Sequence, residues 1–386
     1  MEIPTFEESF KLIKRNFWLS GIPLENTKTT IRFFLLYISL LLIIIEETAF
    51  LVSKISSEDL LKLTELAPCT CIGVLSLLKF STLCFKRQKI RQLTDMLEQL
   101  HDDISSDVNK KTLVKRDIIF VNKLIKYYTI LNLILITVYN FSTLVFIGIH
   151  YTNTKEILYS LPYAVIVPFS TDMWPTWLLI YIHSITSGFI CVLYFTTIDS
   201  LYCIMTSYIC CNFIIINNEI RHLETMNPKT LINIVKKHQY TIKLSEDLED
   251  IFTACNLFNV LIGSLEICAL GFNLTTGDWA QIPGCILFLL SVLLQIFMMS
   301  FFGENILRES TKVGESAFFS KWYETDEISK KIILYIMTRS HAPQKLTAYK
   351  FSVIGYGSFI KIISTSWSYF TILKTVYTPS TEVQIE

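Results

Sequence analysis

Apolar residues along this chain gather into seven long runs, at roughly 31–52, 64–85, 127–150, 176–200, 252–274, 282–304 and 350–376, and most of the charge lies between them. Each run has the ~20 residues that a helix rising ~1.5 Å per residue needs to cross ~30 Å of hydrocarbon. The pattern predicts an all-α membrane protein with seven transmembrane helices. The fourth run does not stop at Asp199 but continues through "LYCIMTSYICCNFIIINNEI" to Ile220. A straight helix of that length overshoots the bilayer, so its far end is expected to protrude into water and pack against protein. Before the first run, residues 5–18 carry apolar positions at helical spacing among charges, which predicts a short helix lying at the membrane surface. The start is mixed in charge and the first apolar run begins only at Ile31, so that run reads as a retained span rather than a signal.

The last run differs from the others. In "STSWSYFTILKTVY" the hydroxyls of Ser364, Ser368, Thr371 and Thr375 step by four, three and four residues and therefore share one narrow helix face. Such a stripe gains nothing against lipid. It suits either hydroxyls bonded back to their own helix or a packed neighbour, or a face turned to water.

The loops orient the chain. Lys and Arg number 26 in the amino-terminal segment and the second, fourth and sixth loops, against three in the alternate loops. The positive-inside rule then places the amino terminus in the cytoplasm and the tail "TPSTEVQIE" outside. A G-protein-coupled receptor holds its amino terminus outside, and neither a DRY-like triplet nor an NPxxY pattern occurs where that class needs one. The sequon at Asn273 falls on the predicted outer side but close to the membrane, and that at Asn140 sits within a span, so neither is counted as a glycan site.

Composition narrows the class further. The chain is 51% hydrophobic and 18% charged, with a mean hydropathy of +0.45, too apolar for an ordinary soluble domain. Net charge is zero, so no global field attracts nucleic acid. The ten cysteines lie in or beside apolar runs as small soft hydrophobes, and no spacing suits a metal. Neither a phosphate loop, a nucleophile elbow nor a His-Glu-x-x-His motif occurs, so no enzyme activity and no cofactor are expected. Charges inside spans are costly and point to function: Glu46, Glu47, Lys79, Asp199, Glu266 and Lys361 qualify. Glu47 and Glu266 are read as facing water in the outer half, and Lys79 and Asp199 as snorkelling or pairing near inner ends. The basic second loop, with its interspersed acids, reads as a solvated helical hairpin rather than a lipid contact.

Four stretches carry a resemblance. "FFGENILRESTKVGESAFFSKWYE", "TRSHAPQKLTAYKF" and "SFIKIISTSWSYFTILK" near the carboxy end, and "LPYAVIVPFSTDMWPTWLLIYIHS" entering the fourth span, together resemble insect odorant receptors. The motif positions are Gly303, Glu304, Glu309, Ser310, Ala317, Phe318, Trp322, Tyr323, Arg339, Ser340, Pro343 and Ser368 to Thr371. His183 stands where many members have Gln, and Trp367 where a second Tyr is frequent. The fourth loop lacks the insertion of the co-receptor Orco, so the chain resembles a ligand-specifying tuning subunit. Gustatory-type receptor channels are relatives whose seventh span ends differently.

The resemblance implies a subunit of a heterotetrameric, ligand-gated, non-selective cation channel, assembled with Orco in the plasma membrane of olfactory sensory dendrites. It also implies a layout. Residues 1–30 form a cytoplasmic segment and 31–304 hold spans one to six with the odorant pocket; 305–349 form a cytoplasmic anchor region, and 350–386 the pore-lining seventh span with a short outer tail. Matching the family's ending onto this sequence puts the pore and gate at Ser368, Ile372, Thr375 and Val376. The pocket, in the outer half of the bundle, is expected to use Ile72, Ser76, Tyr139, Ser142, Phe146, Tyr181, Ser184, Phe288 and Val292. Aromatics with a few hydroxyls suit a small volatile organic molecule bearing one or two acceptor oxygens. Membrane lipid is a further partner, and the subunits are expected to be held together around Trp322 and the helix near Ile332. The rival classes are a metabotropic seven-helix receptor, which needs the opposite orientation, and a transporter, for which no inverted repeat is visible.

Overall fold

The computed structural model describes residues 3–24, 29–55, 60–171, 173–223, 227–276 and 282–377. Its helices are α1 (Phe6–Leu19), α2 (Ile31–Ile55), α3 (Leu60–Phe85), α4 (Arg87–Ser106), α5 (Val108–Thr154), α6 (Trp174–Arg221), α7 (Pro228–Thr276), α8 (Ile282–Phe318), α9 (Glu327–Ser340) and α10 (Tyr356–Tyr377). Two short strands, β1 (Thr347–Ala348) and β2 (Ser352–Val353), pair antiparallel between α9 and α10. Among the described residues α2, α3, α5, α6, α7 and α8 are long and apolar enough to cross a membrane. With 22 residues, or ~33 Å, α10 has the length, but its hydroxyls and lysines make it less apolar than the others.

Three helices greatly exceed a bilayer: α5 has 47 residues, α6 has 48 and α7 has 49. The overshoot expected of the fourth run is present in α6, and the charged halves of α5 and α7 are continuous with their spans in the same way. These extensions, with α4 and α9, build a second helical layer at the charge-rich end. Helix α6 is the axis of both layers, buried almost without interruption from Tyr194 to Phe213. Its own apolar residues run on past the bilayer because α1, α4, α7 and α8 cover them there.

The amino-terminal helix departs from expectation. A capping box starts it, with the Thr5 hydroxyl accepting the Glu8 amide and the Glu8 carboxylate accepting the Thr5 amide at 2.9 Å. Its apolar face, Phe6, Phe10, Ile13 and Phe17, is buried against protein rather than laid on the membrane. The Phe6 ring lies 5.8 Å from Tyr208 of α6 and 5.9 Å from His101 of α4. A second departure concerns the seventh span, which begins at Tyr356 and not near 350. Tyr349 and Lys350 adopt left-handed φ angles of 49° and 63°, and their turn lets β2 fold back on β1.

The family-like motif residues serve this junction. A side chain at Gly303 would collide with the Ile354 carbonyl, so the glycine admits the β-turn against α8. Next to it, the Glu304 carboxylate accepts the Tyr356 amide at 3.2 Å, at the positive end of α10. The Ser310 hydroxyl accepts the Gln344 amide at 3.0 Å, and a side chain at Gly314 would press on Ser340 of α9.

His238, in the charged half of α7, is buried beside Phe213, with ring centroids 6.2 Å apart. Burial, and secondarily the Arg339 charge, lower its pKa to about 4. The fold therefore holds the imidazole neutral, whereas the unfolded chain protonates it near pH 6.5. Its contribution to stability is complete above about pH 6.5 and is lost as pH falls towards 4, by up to roughly 1.4 kcal/mol per pH unit. Melting temperature followed over this range should fall less steeply for His238→Gln than for the wild type; parallel curves would remove His238 as the cause.

Candidate functional site

Away from the charged layer, the connection between α5 and α6 (residues 155–173) folds back onto the bundle. Lys155 ends α5 in a left-handed conformation, φ 60°, and Pro175 stands in the first turn of α6, where its missing N–H costs nothing. Between them the chain buries Pro162 and drives the Tyr163 side chain between α5 and α6. The Tyr163 hydroxyl donates to Asn140 Oδ1 at 2.9 Å. It reaches that depth because Gly188 faces it: a Cβ at 188 would clash with the Tyr163 hydroxyl and approach Asn140 Nδ2 to 3.2 Å. The same loop touches α2, where the Ile166 amide donates to the Glu46 carbonyl at 3.4 Å.

Asn140 is fully buried in an otherwise apolar stretch. Its backbone carbonyl accepts the Tyr181 hydroxyl at 2.9 Å, and Tyr181 stacks on Trp177, centroids 5.0 Å apart. The Trp177 indole N–H donates to the Ser160 carbonyl, closing the loop over this wall. Tyr139 lies 5.4 Å from the Tyr163 ring, and its hydroxyl is 3.3 Å from Cys69 Sγ of α3. Two turns further along α3, Ser76 donates to the Ile72 carbonyl at 2.7 Å and sits 3.1 Å from Cys191 Sγ of α6.

Two buried polar groups in this wall have no hydrogen-bond partner among the described residues: Asn140 Nδ2 and Ser184 Oγ. Ser184 is one turn before Gly188 on α6, so both groups border the face that receives Tyr163. An unsatisfied buried donor costs ~1–3 kcal/mol, which a ligand's acceptor oxygen would recover. The surrounding Tyr139, Tyr163, Tyr181 and Trp177 supply flat apolar surface.

The predicted residues divide accordingly. Ile72, Ser76, Tyr139, Tyr181 and Ser184 converge on this wall. Ser142 and Phe146 do not: Ser142 is exposed and bonded to the Tyr139 carbonyl, and Phe146 is 54% exposed on the outer face of α5. They follow Tyr139 by three and seven residues, so they share its side of α5 one and two turns farther along, where both are exposed. On α8, Val292 is buried and Phe288 half-buried; the adjoining Ser291 donates to Asn132 of α5 at 2.9 Å, about two turns from Asn140. Asn140, Tyr163, Gly188 and Cys191 were missed as site residues. The signal for Asn140 was present as a lone amide in an apolar run; that for Tyr163 was not, because nothing local tells which loop aromatic turns inward.

The sequons behave as expected. Asn140 is enclosed, and Asn273 is buried with its amide donating to the Thr64 carbonyl at 2.9 Å. That carbonyl is left open because Pro68, four residues on, has no N–H to give it.

Of the charges in spans, Lys79 and Asp199 pair, Nζ to Oδ1 2.5 Å, with Tyr128 donating to the other oxygen at 3.0 Å. Lys79 Nζ also lies 4.7 Å from the Phe195 ring centroid. A cavity of about 10 Å³ beside them, lined by Asn256, Asn259 and Gln295 among others, is at the size limit for one water. Glu47 and Glu266 do not face water, as the sequence suggested; both are buried. Each lies on a side of its helix covered by neighbours, which position along a span does not reveal. Glu46 lies 3.8 Å from His183.

Helix α10 binds the bundle along one stripe, Ile362, Ser366 and Phe370, with Ser366 donating to the Ser264 carbonyl of α7 at 3.0 Å. Its opposite face is open: Ser364, Ser368, Thr371 and Thr375 are exposed, and Ile372 is 59% exposed. The hydroxyls of Ser368, Thr371 and Thr375 bond back to carbonyls of their own helix at 2.8–3.0 Å. The bonding of the stripe to its own helix is thus present, on a face that the bundle leaves open. The side chain of Val376 lies outside the described residues.

The family model of the 7tm odorant receptors matches residues 62–367. Two similar proteins from Drosophila melanogaster are odorant receptor 13a, 27% identical over 86% of this chain and 84% of that one, and odorant receptor 67c, 23% identical over 92% and 90%. Among solved structures, the insect olfactory receptor OR5 from Machilis hrabei shares the fold with a TM-score of 0.79 at 17% identity, covering 96% of this chain and 98% of that one. The same receptor has been solved in complex with eugenol, and that structure also matches with a TM-score of 0.79 at 16% identity.

Proposed function

From the premise that this multi-pass membrane protein belongs to the odorant receptor family, we propose that it is an odorant-specifying subunit of a ligand-gated, non-selective cation channel assembled with Orco. The observation that carries the reading is the wall around Asn140: aromatic surface, a loop tyrosine inserted between two spans, and two buried donors without partners. It suits a small, mostly apolar volatile with one or two acceptor oxygens, the kind of molecule that eugenol, bound by the Machilis hrabei receptor, exemplifies. Lys and Arg excess at the far end puts this wall in the outer half, the amino terminus in the cytoplasm and the α10 tail outside.

An odorant shifts the closed-to-open balance only through its different affinity for the two states. Tyr163 offers such a difference, because its hydroxyl on Asn140 Oδ1 holds the amide whose Nδ2 a ligand's acceptor oxygen would take. The open face of α10 lines the shared pore, where its hydroxyls meet water and Ile372 belongs to the apolar constriction. In this assembly, residues 305–349 anchor the subunits, with exposed Phe318, Tyr323, Leu334 and Tyr335 as contact surface.

Whole-cell recording with and without Orco, against esters, alcohols, aldehydes and phenols, tests the reading. Rapid cation current is expected only with Orco. Ile372→Ala should raise the ligand-free leak or alter ion preference several-fold; unchanged leak and selectivity at normal surface expression would take Ile372 out of the constriction.

A further inference from the structure

At the other end of the bundle, α1 and the charged half of α5 flank an open cavity of about 550 Å³, within the ~300–1,000 Å³ of small-molecule sites, that odorant binding does not use. Its cations come from both helices: Lys11 and Arg15 stand one turn apart on α1, and Lys123 and Lys126 share a face of α5. Asn122 ties the helices together here, its amide donating to Ser9 Oγ at 3.0 Å. Glu8 is the carboxylate on the wall, and it is occupied in the capping box of α1.

Among the described residues none of the four cations forms an ion pair, although Lys110, Lys237, Lys312 and Lys330 in the same layer each hold a carboxylate at 2.7–2.9 Å. Four like charges around one cavity repel, so their arrangement is stabilised by an anion of matching charge. A headgroup with a single net negative charge leaves most of this field unbalanced, whereas one bearing several phosphates balances it.

The position favours a lipid over a soluble anion. Lys126 is the last charge before α5 turns apolar; Tyr127, 65% exposed, and exposed Ile130 and Ile134 follow it. An aromatic at the boundary with aliphatic side chains beyond it is the surface that acyl chains cover.

We propose that the cavity between α1 and α5 binds the headgroup of a polyphosphorylated inositol lipid, with its acyl chains lying on the exposed face of α5 beyond Tyr127. The lipid thereby clamps α1, whose Phe6 and Phe10 rest on α6, to the root of the third span.

The test uses the full-length protein in nanodiscs of phosphatidylcholine with either phosphatidylserine or phosphatidylinositol bisphosphate at equal total charge, with retained lipid counted by native mass spectrometry. Selective retention of the bisphosphate is expected. At about fivefold per cation, Lys11→Gln/Arg15→Gln and Lys123→Gln/Lys126→Gln should each weaken retention ~25-fold while melting unchanged in pure phosphatidylcholine. Soluble inositol trisphosphate should compete only at much higher concentration. Equal retention of phosphatidylserine, or wild-type retention by both paired variants, would overturn the site. Inositol trisphosphate binding as tightly as the lipid would overturn the lipid assignment. Should neither variant fold, the comparison of the two lipids on the wild type still decides.

Discussion

Asp199→Ala is expected to destabilise the transmembrane bundle by about 3–5 kcal/mol and to prevent delivery to the cell surface. Asp199 supplies the carboxylate 2.5 Å from Lys79 Nζ, and Lys79 has no exposure to solvent. Removing the acid leaves an ammonium in the bundle centre beside the Phe195 ring and a one-water cavity, with buried Glu266 as a more distant charge and no carboxylate bonded to it. It also strands the Tyr128 hydroxyl. Removing both charges is a different operation: Lys79→Met/Asp199→Leu replaces the pair with apolar groups of similar volume and should restore most of the loss. Melting of the purified protein in detergent, with surface labelling in cells, separates these cases. Equal melting of Asp199→Ala and wild type would show that the pair is not a structural element.

Gly188→Leu should raise the odorant concentration for half-maximal current at least tenfold without reducing assembly. The Leu side chain takes the space of the Tyr163 hydroxyl and crowds Asn140 Nδ2 and Ile136, each 3.2 Å from the added Cβ. Overpacking of this kind costs ~1–3 kcal/mol, and the flexible loop is the element that yields. Tyr163→Ala in the same background makes room for the Leu, so the double variant should fold as the wild type does and recover part of the response. Concentration–response curves at matched surface expression read the result. Wild-type sensitivity in Gly188→Leu would place the odorant elsewhere.

The runs of apolar sequence were legible because lipid imposes them. A backbone in hydrocarbon must satisfy its own hydrogen bonds, so each span is a helix of bilayer length and is written as a continuous apolar run. The depth of a residue along its helix follows by counting, which brings Ile72, Ser76, Tyr139, Tyr181 and Ser184 to the level of the wall around Asn140. Which way a residue faces did not follow. In a soluble helix the outer face is polar and marks itself, but α5 is apolar all round because lipid and protein interior are alike to a Leu or Phe. An exposed residue such as Phe146 is therefore written in the sequence no differently from a covered one on α5.

The amino-acid sequence by itself determined the number of spans, the charge asymmetry between the two ends, the overshoot of α6 and the open hydroxyl face of α10, since each is a property of one helix against its solvent. Only the tertiary structure decided that Glu47 and Glu266 are enclosed, that α1 rests on protein, and that Tyr163 crosses from a loop to Asn140 opposite Gly188. Those features depend on which faces of different helices meet, and the packing energy that selects the meeting is shared among residues 20 to 150 positions apart, for example Tyr163 with Asn140 and Lys79 with Asp199, so no local pattern records it.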